Sequence, residues 1–189
     1  MKKIMNVLLG CCLVTMAACA QSSKKQEAKT MKKTLVAYFS ATGTTAEVAT
    51  RLASVAEADL YEIKPEKKYS AADLDWTDKK ARSTVEMQDK KSRPAMVKDL
   101  QDAAHYDTVY VGFPIWWYTA PTIINTFLEA YPFEGKTVIL FATSGGSTPD
   151  KALQELRARY PKIHFEGAQL LNGADEGELK AFVGKFQKK

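Results

Sequence analysis

Five β-rich runs alternate with helical patterns from residue 34 to the end of the chain, and this alternation constrains the fold more than any other feature. The runs are 34–39 (TLVAYF), 59–64 (DLYEIK), 107–113 (DTVYVGF), 136–142 (KTVILFA) and 162–171 (KIHFEGAQLL). Between them, 45–58 places Val48, Ala49, Leu52, Val55 and Ala56 on one helical face. A helix is expected over 121–130, where Pro121 suits a first turn. Another is expected over 149–160, with Ala152, Leu153 and Leu156 spaced for packing. A closing helix over 175–186 has acidic residues early and Lys late, as the helix dipole prefers. Near-continuous apolar strands joined through helices mean a three-layer α/β domain: a doubly wound, five-stranded parallel sheet covered on both faces. No internal repeat interrupts this order.

Segment 64–106 breaks the rhythm. It is polar, contains Tyr69, Leu74 and Trp76, and carries a helix-like stretch at 77–91. A second helix is expected to start at Pro94. The connection is longer than one crossover helix needs, so it reads as a surface excursion or a cover over a site.

The first 31 residues are of another kind. Lys2 and Lys3 precede an apolar run from Ile4 to Ala18, which meets Cys19. A basic start, a short apolar stretch and small residues describe a secretory signal over 1–18. The run is short for a membrane span. The MAAC sequence ending at Cys19 resembles the lipobox of bacterial lipoproteins, with Met where Leu is more usual. That resemblance implies cleavage before Cys19, lipidation of its sulfur and anchoring to the bacterial cell envelope, facing the periplasm or on the outer membrane; plain secretion is the alternative. Residues 19–31 would then form the lipidated Cys and a flexible tether, and 32–189 the folded domain. All three cysteines, Cys11, Cys12 and Cys19, precede that domain. It therefore has no disulfide and no Cys-based metal site.

The whole chain has 189 residues, 46% of them apolar, and a net charge of +5. This supports one folded domain and excludes a disordered chain. Much of the positive charge lies near the two ends, which argues against nucleic acid as a partner.

In open parallel sheets, ligands bind beyond the carboxyl ends of the strands. Three loops there carry the chemistry. The first is SATGTT, where Ser40, Thr42, Thr44 and Thr45 offer hydroxyls and Gly43 allows close backbone approach. The N-terminus of the next helix adds free N–H groups and positive dipole. Neither a Walker Lys nor a GxGxxG pattern is present, and a plain Ser/Thr helix cap fits the same residues. The second loop, GFPIWWYTAP, holds Pro114, Ile115, Trp116, Trp117 and Tyr118. Three adjacent large aromatics cannot all enter one core, so a flat ligand, a partner or the 64–106 excursion must cover them. The third, ATSGGST, sets Thr143, Ser144, Gly145, Gly146 and Ser147 beside any ligand edge. A serine hydrolase is disfavoured: GxSxG is absent, and His105 and His164 lie in unrelated places.

With its YFSATGTT start and PIWW second loop, the sequence resembles the flavodoxin-like family over nearly all of 32–189. The resemblance implies strand order 2-1-3-4-5 and non-covalent FMN. It places Ser40, Thr42, Gly43, Thr44 and Thr45 on the FMN phosphate. Pro114, Ile115, Trp116, Trp117 and Tyr118 would flank the ring system, and Thr143, Ser144, Gly145, Gly146 and Ser147 its other side and polar edge. The implied activity is electron transfer, with a redox partner protein or a small quinone or nicotinamide as partner, and the membrane reached only through the lipid. An FMN-dependent NAD(P)H or quinone reductase, and a binding module that has lost FMN, are the alternatives. Apolar aromatic surroundings disfavour extra negative charge on the ring, so a low potential is the expected direction. Two features depart from the family. The second loop lacks the Gly that many flavodoxins use to switch a backbone hydrogen bond, which leaves two-electron chemistry open. Typical flavodoxins are also acidic, whereas removing Lys2 and Lys3 from 27 basic residues leaves 25 here against 22 acidic ones.

Overall fold

The computed structural model describes residues 33–187; the signal, Cys19 and the tether lie outside the described residues. Five strands form one parallel sheet in the order β2-β1-β3-β4-β5. They are β1 (Lys33–Tyr38), β2 (Asp59–Glu62), β3 (Tyr106–Pro114), β4 (Thr137–Thr143) and β5 (His164–Leu170). The register aligns Leu35, Val109, Val138 and Phe165 across the four strands from β1 to β5.

Alternate strand residues feed two cores, as the two-residue period requires. Leu35, Ala37, Val109, Val111, Val138 and Leu140 face α3 (Thr122–Ala130) and α4 (Asp150–Arg159) through Ile123, Phe127, Ala152 and Leu156. Val36, Tyr110, Ile139 and Phe141 face α1 (Thr44–Ala56) and α5 (Glu176–Gln187) through Val48, Leu52, Leu179 and Phe182. Gly112 is required by this second core: a Cβ there would stand 2.1 Å from Cζ of Phe141.

The expected strands and helices stand within a few residues of their positions. The first helix stops at Ala56 rather than residue 58. Glu57 turns left-handed at φ 49°, and the Ala58 N–H returns to the Ala53 carbonyl at 2.9 Å, closing the end.

The excursion differs more. The helix expected over 77–91 is shortened to α2 (Arg82–Gln88). Asp75 accepts from the Thr77 amide and hydroxyl, and Asp78 accepts from the Lys80 amide. Asp89 does the same for Lys91 on the far side. These local bonds compete with helix and trim both ends. The helix expected from Pro94 is absent. Pro94 to Leu100 runs extended, and Met96 pairs antiparallel with Pro65. The Glu66 amide donates to the Ala95 carbonyl at 3.0 Å and the Val97 amide to the Lys64 carbonyl at 2.9 Å. Met96 is buried in the core, so the extended path satisfies both its side chain and its backbone.

Candidate functional site

The three loops singled out in the sequence lie together beyond the carboxyl ends of β1, β3 and β4, beside the point where strand order reverses. The first has an open helix start. Gly43 is the residue before α1, at φ 96° and ψ −25°, and no side chain caps the helix. A Cβ on Gly43 would meet nothing within 4 Å, so the backbone angle, not space, calls for glycine there. The Ser40 hydroxyl accepts from the Gly43 amide at 3.1 Å and shapes the turn. The Glu47 amide reaches the Gly43 carbonyl at 3.0 Å, while the amides of Thr44, Thr45 and Ala46 have no acceptor among the described residues. Exposed Thr42 and Thr44 add hydroxyls beside these donors. No side chain caps this helix start, so its free amides are able to receive an anion. Thr45 is the exception in its group. Its hydroxyl is buried and bonds that of Thr143 at 2.7 Å, so the pair ties the first loop to the third.

The second loop separates its aromatics. Trp116 turns inward and packs edge-on against Phe39 at 5.5 Å and Tyr69 at 5.4 Å. Trp117 and Tyr118 remain outside, 39% and 68% exposed. They are the two central residues of a tight turn closed by mutual Trp116 and Thr119 backbone hydrogen bonds of 3.0 and 2.9 Å. Both have positive φ, 45° and 68°, where Asn and Gly are the usual occupants. Large side chains in that region cost about 1–2 kcal/mol each.

The third loop is braced rather than loose. The Ser144 hydroxyl accepts from the amides of Gly146 and Ser147 at 3.2 and 2.8 Å. Asn172, beyond β5, accepts from the Ser144 amide at 2.8 Å and donates back to its carbonyl. Gly145 and Gly146 are exposed, and Ser147 reaches the cleft.

That cleft has a volume of about 560 Å³. Thr42, the stretch from Pro114 to Tyr118 and Ser147 line it from the loops. The excursion contributes Leu74, Trp76 and Ser83 to the same wall. Sequence reasoning left those three out of the site, although a Trp in a polar segment was a usable signal. Tyr69 holds the excursion in place. Its ring contacts Phe39 and Trp116, the Arg82 guanidinium lies 4.0 Å above it, and its hydroxyl donates to Glu86. Burial, and then the bond to Glu86, push the Tyr69 hydroxyl far above its ordinary pKa, so it stays a neutral donor. Trp76 projects into solvent at 75% exposure. Ser83 is only 2% exposed, and its hydroxyl has no partner.

The cleft is an open slot with three exposed aromatic rings, and Thr42 at its edge leads into the uncapped start of α1. Among the described residues, no carboxylate, His, Lys or Arg lines it, and no cluster of His, Cys, Asp or Glu could hold a metal. A flat ring system carrying a phosphate fits this donor set: the rings gain stacking, the amides gain an anion, and Ser83 lies beside the ring slot.

Comparison with known proteins agrees with this geometry. A search of curated proteins returned no match. A crystal structure assigned as a flavoprotein from Bacteroides uniformis is 56% identical, with a TM-score of 0.79, covering 81% of this chain and 98% of that one. A second, from Bacteroides eggerthii, is 47% identical with a TM-score of 0.80, covering 83% and 99%. A flavoprotein from Lactobacillus acidophilus, crystallised in complex with FMN, is 25% identical with a TM-score of 0.63, covering 83% and 99%. The flavodoxin family model matches residues 33–186. The sheet order, the three converging loops and this match across the described domain establish that the chain belongs to the flavodoxin family.

Proposed function

We propose that this protein binds FMN without a covalent bond and works as an electron-transfer flavoprotein of the cell envelope. The cleft carries this reading: Thr42, two residues before the uncapped start of α1, lines the same cavity as the exposed aromatics beyond the switch point. The Lactobacillus acidophilus flavoprotein, solved with FMN, supports the choice of ligand. Thr42, Gly43, Thr44 and the first amides of α1 receive the phosphate. Trp117 and Tyr118 lie against the ring system, Trp76 and Leu74 cover it, and Ser83 and Ser147 meet its polar atoms. When bound, FMN supplies reversible electron transfer. The chain's own residues orient it and exclude water from one side. Uncharged walls favour the ring state of lowest charge, which sets the direction toward a low potential.

A reductase acting on a small molecule is the second reading. One observation favours it: Trp117 also lines a separate cavity of about 460 Å³. For localisation, we propose lipidation at Cys19, on the sequence pattern alone. No helix of the described residues is long and apolar enough to cross a membrane.

The absorption spectrum of natively purified protein tests the main reading. Flavin bands that vanish on unfolding and extraction are expected; a colourless protein that fails to quench added FMN would refute it. NADH-driven bleaching of those bands would favour the reductase. Persistent membrane association of Cys19→Ser would count against the anchor.

A further inference from the structure

The second cavity, on the opposite side of the Trp117–Tyr118 turn, is lined by Lys90, Lys151 and Arg159, together with Trp117, Thr122 and Glu155. Its charges are unbalanced. None of the three cations forms an ion pair within 4 Å among the described residues. Arg159 feels the Glu129 carboxylate, but Arg93 already holds that group at 2.7 Å. Glu155, the one carboxylate in the wall, accepts from the Thr119 hydroxyl at 2.7 Å. The Lys151 Nζ lies 5.9 Å from the centroid of the Tyr118 ring.

The cavity also meets the start of α3. Pro121 precedes the helix, no side chain caps it, and its first-turn amides carry the positive end of the dipole. Thr122, the first residue of α3, is 6% exposed, and its Oγ1 has no partner. An unpartnered hydroxyl, an uncapped helix start and three cations lining one cavity suit an anion with several acceptor oxygens. One carboxylate would leave positive charge over, whereas a phosphate dianion matches three cations less Glu155. A cavity of about 460 Å³ is within the range that encloses a small organic ligand, and the Trp117 face offers it a stacking surface.

We propose that this cavity binds a phosphate-bearing molecule of nucleotide size. Its phosphate meets Lys90, Lys151, Arg159 and the start of α3, and its flat group lies toward Trp117. The placement beside the ring slot rests on the flavin reading; the anion site itself does not.

The test is calorimetric titration of the FMN-loaded protein with NADP⁺, an oxidised probe that passes no electrons. Pyrophosphate and adenosine serve as competitors. Saturable binding that weakens with salt is expected, with both competitors displacing the probe. Lys90→Gln/Arg159→Gln should weaken it about tenfold or more. Lys185→Gln, on the distant α5, should leave it unchanged, and FMN affinity should stay within about twofold throughout. No binding of NADP⁺ overturns the proposal, as does equal weakening by Lys185→Gln. Displacement by pyrophosphate alone overturns the nucleotide assignment. Protein that holds FMN but ignores NADP⁺ refutes this inference and spares the flavin reading; protein that binds NADP⁺ but never FMN does the reverse.

Discussion

Ser83→Ala should make the empty protein more stable and its hold on FMN weaker. The Ser83 hydroxyl is buried and unpaired, and the residue lines the cleft. An unsatisfied buried hydroxyl costs about 1–3 kcal/mol. Removing one oxygen leaves almost no void. A gain of about 1–2 kcal/mol in the apoprotein is therefore expected, or about 3–6 °C in Tm for a domain of this size. With FMN present, the variant lacks one hydrogen bond of about 0.5–1.5 kcal/mol, so affinity should fall about 2- to 12-fold. Thr84→Val is the control, since Thr84 Oγ1 is equally buried and unpaired but does not line the cleft. It should remove the same kind of penalty and leave FMN affinity alone. Thermal melts of apoprotein and quenching of FMN fluorescence read the two effects separately. A Ser83→Ala protein with raised Tm and unchanged FMN affinity would show that the hydroxyl is idle and refute the reasoning.

Three other perturbations test the rest of the site and its frame. Tyr118→Gly relieves a left-handed backbone at a side chain that is mostly exposed, so apoprotein Tm should rise by a few degrees while FMN affinity falls; a lower Tm would contradict the strain. Thr45→Val should cost about 1–3 kcal/mol by orphaning the Thr143 hydroxyl, and Thr45→Val/Thr143→Val should recover much of that in urea melts; additive losses would mean the pair is not coupled. The Arg93 hydrogen bond is the main reason the Glu129 pKa lies below its ordinary 4.5. Because the folded value is depressed, the stabilisation is complete above pH 4.5 and is lost as pH falls through the folded value. The group is partly exposed, so the effect is under about 1 kcal/mol. The Tm advantage of wild type over Glu129→Gln should shrink between pH 6 and pH 3, and a constant gap would count against it.

Local pattern carried the architecture a long way. The sheet, its helices and the positions of the three loops follow from residue periodicity and from Gly and Pro placement, because those signals act within a few residues. Roles inside each loop did not follow. Trp116, Trp117 and Tyr118 look equivalent as a string, yet one packs on Phe39 and Tyr69 while two line the open turn. Thr45 and Thr143 look like two ligand hydroxyls and instead bond each other.

Segment 64–106 shows the same limit on a larger scale. Its helical pattern after Pro94 is overridden because Met96 reaches the core and its neighbours pair with the strand-like stretch at Pro65. That route lets Tyr69 and Arg82 pin the excursion and brings Trp76 and Ser83 to the cleft. The sequence by itself determined the layered fold and which three loops stand beyond the strand ends. The tertiary structure alone decided which hydroxyls are spent on the frame, which rings stay open and that Lys90, Lys151 and Arg159 line one cavity. Those outcomes depend on partners far apart in the chain, and no local pattern records which of them a side chain will find.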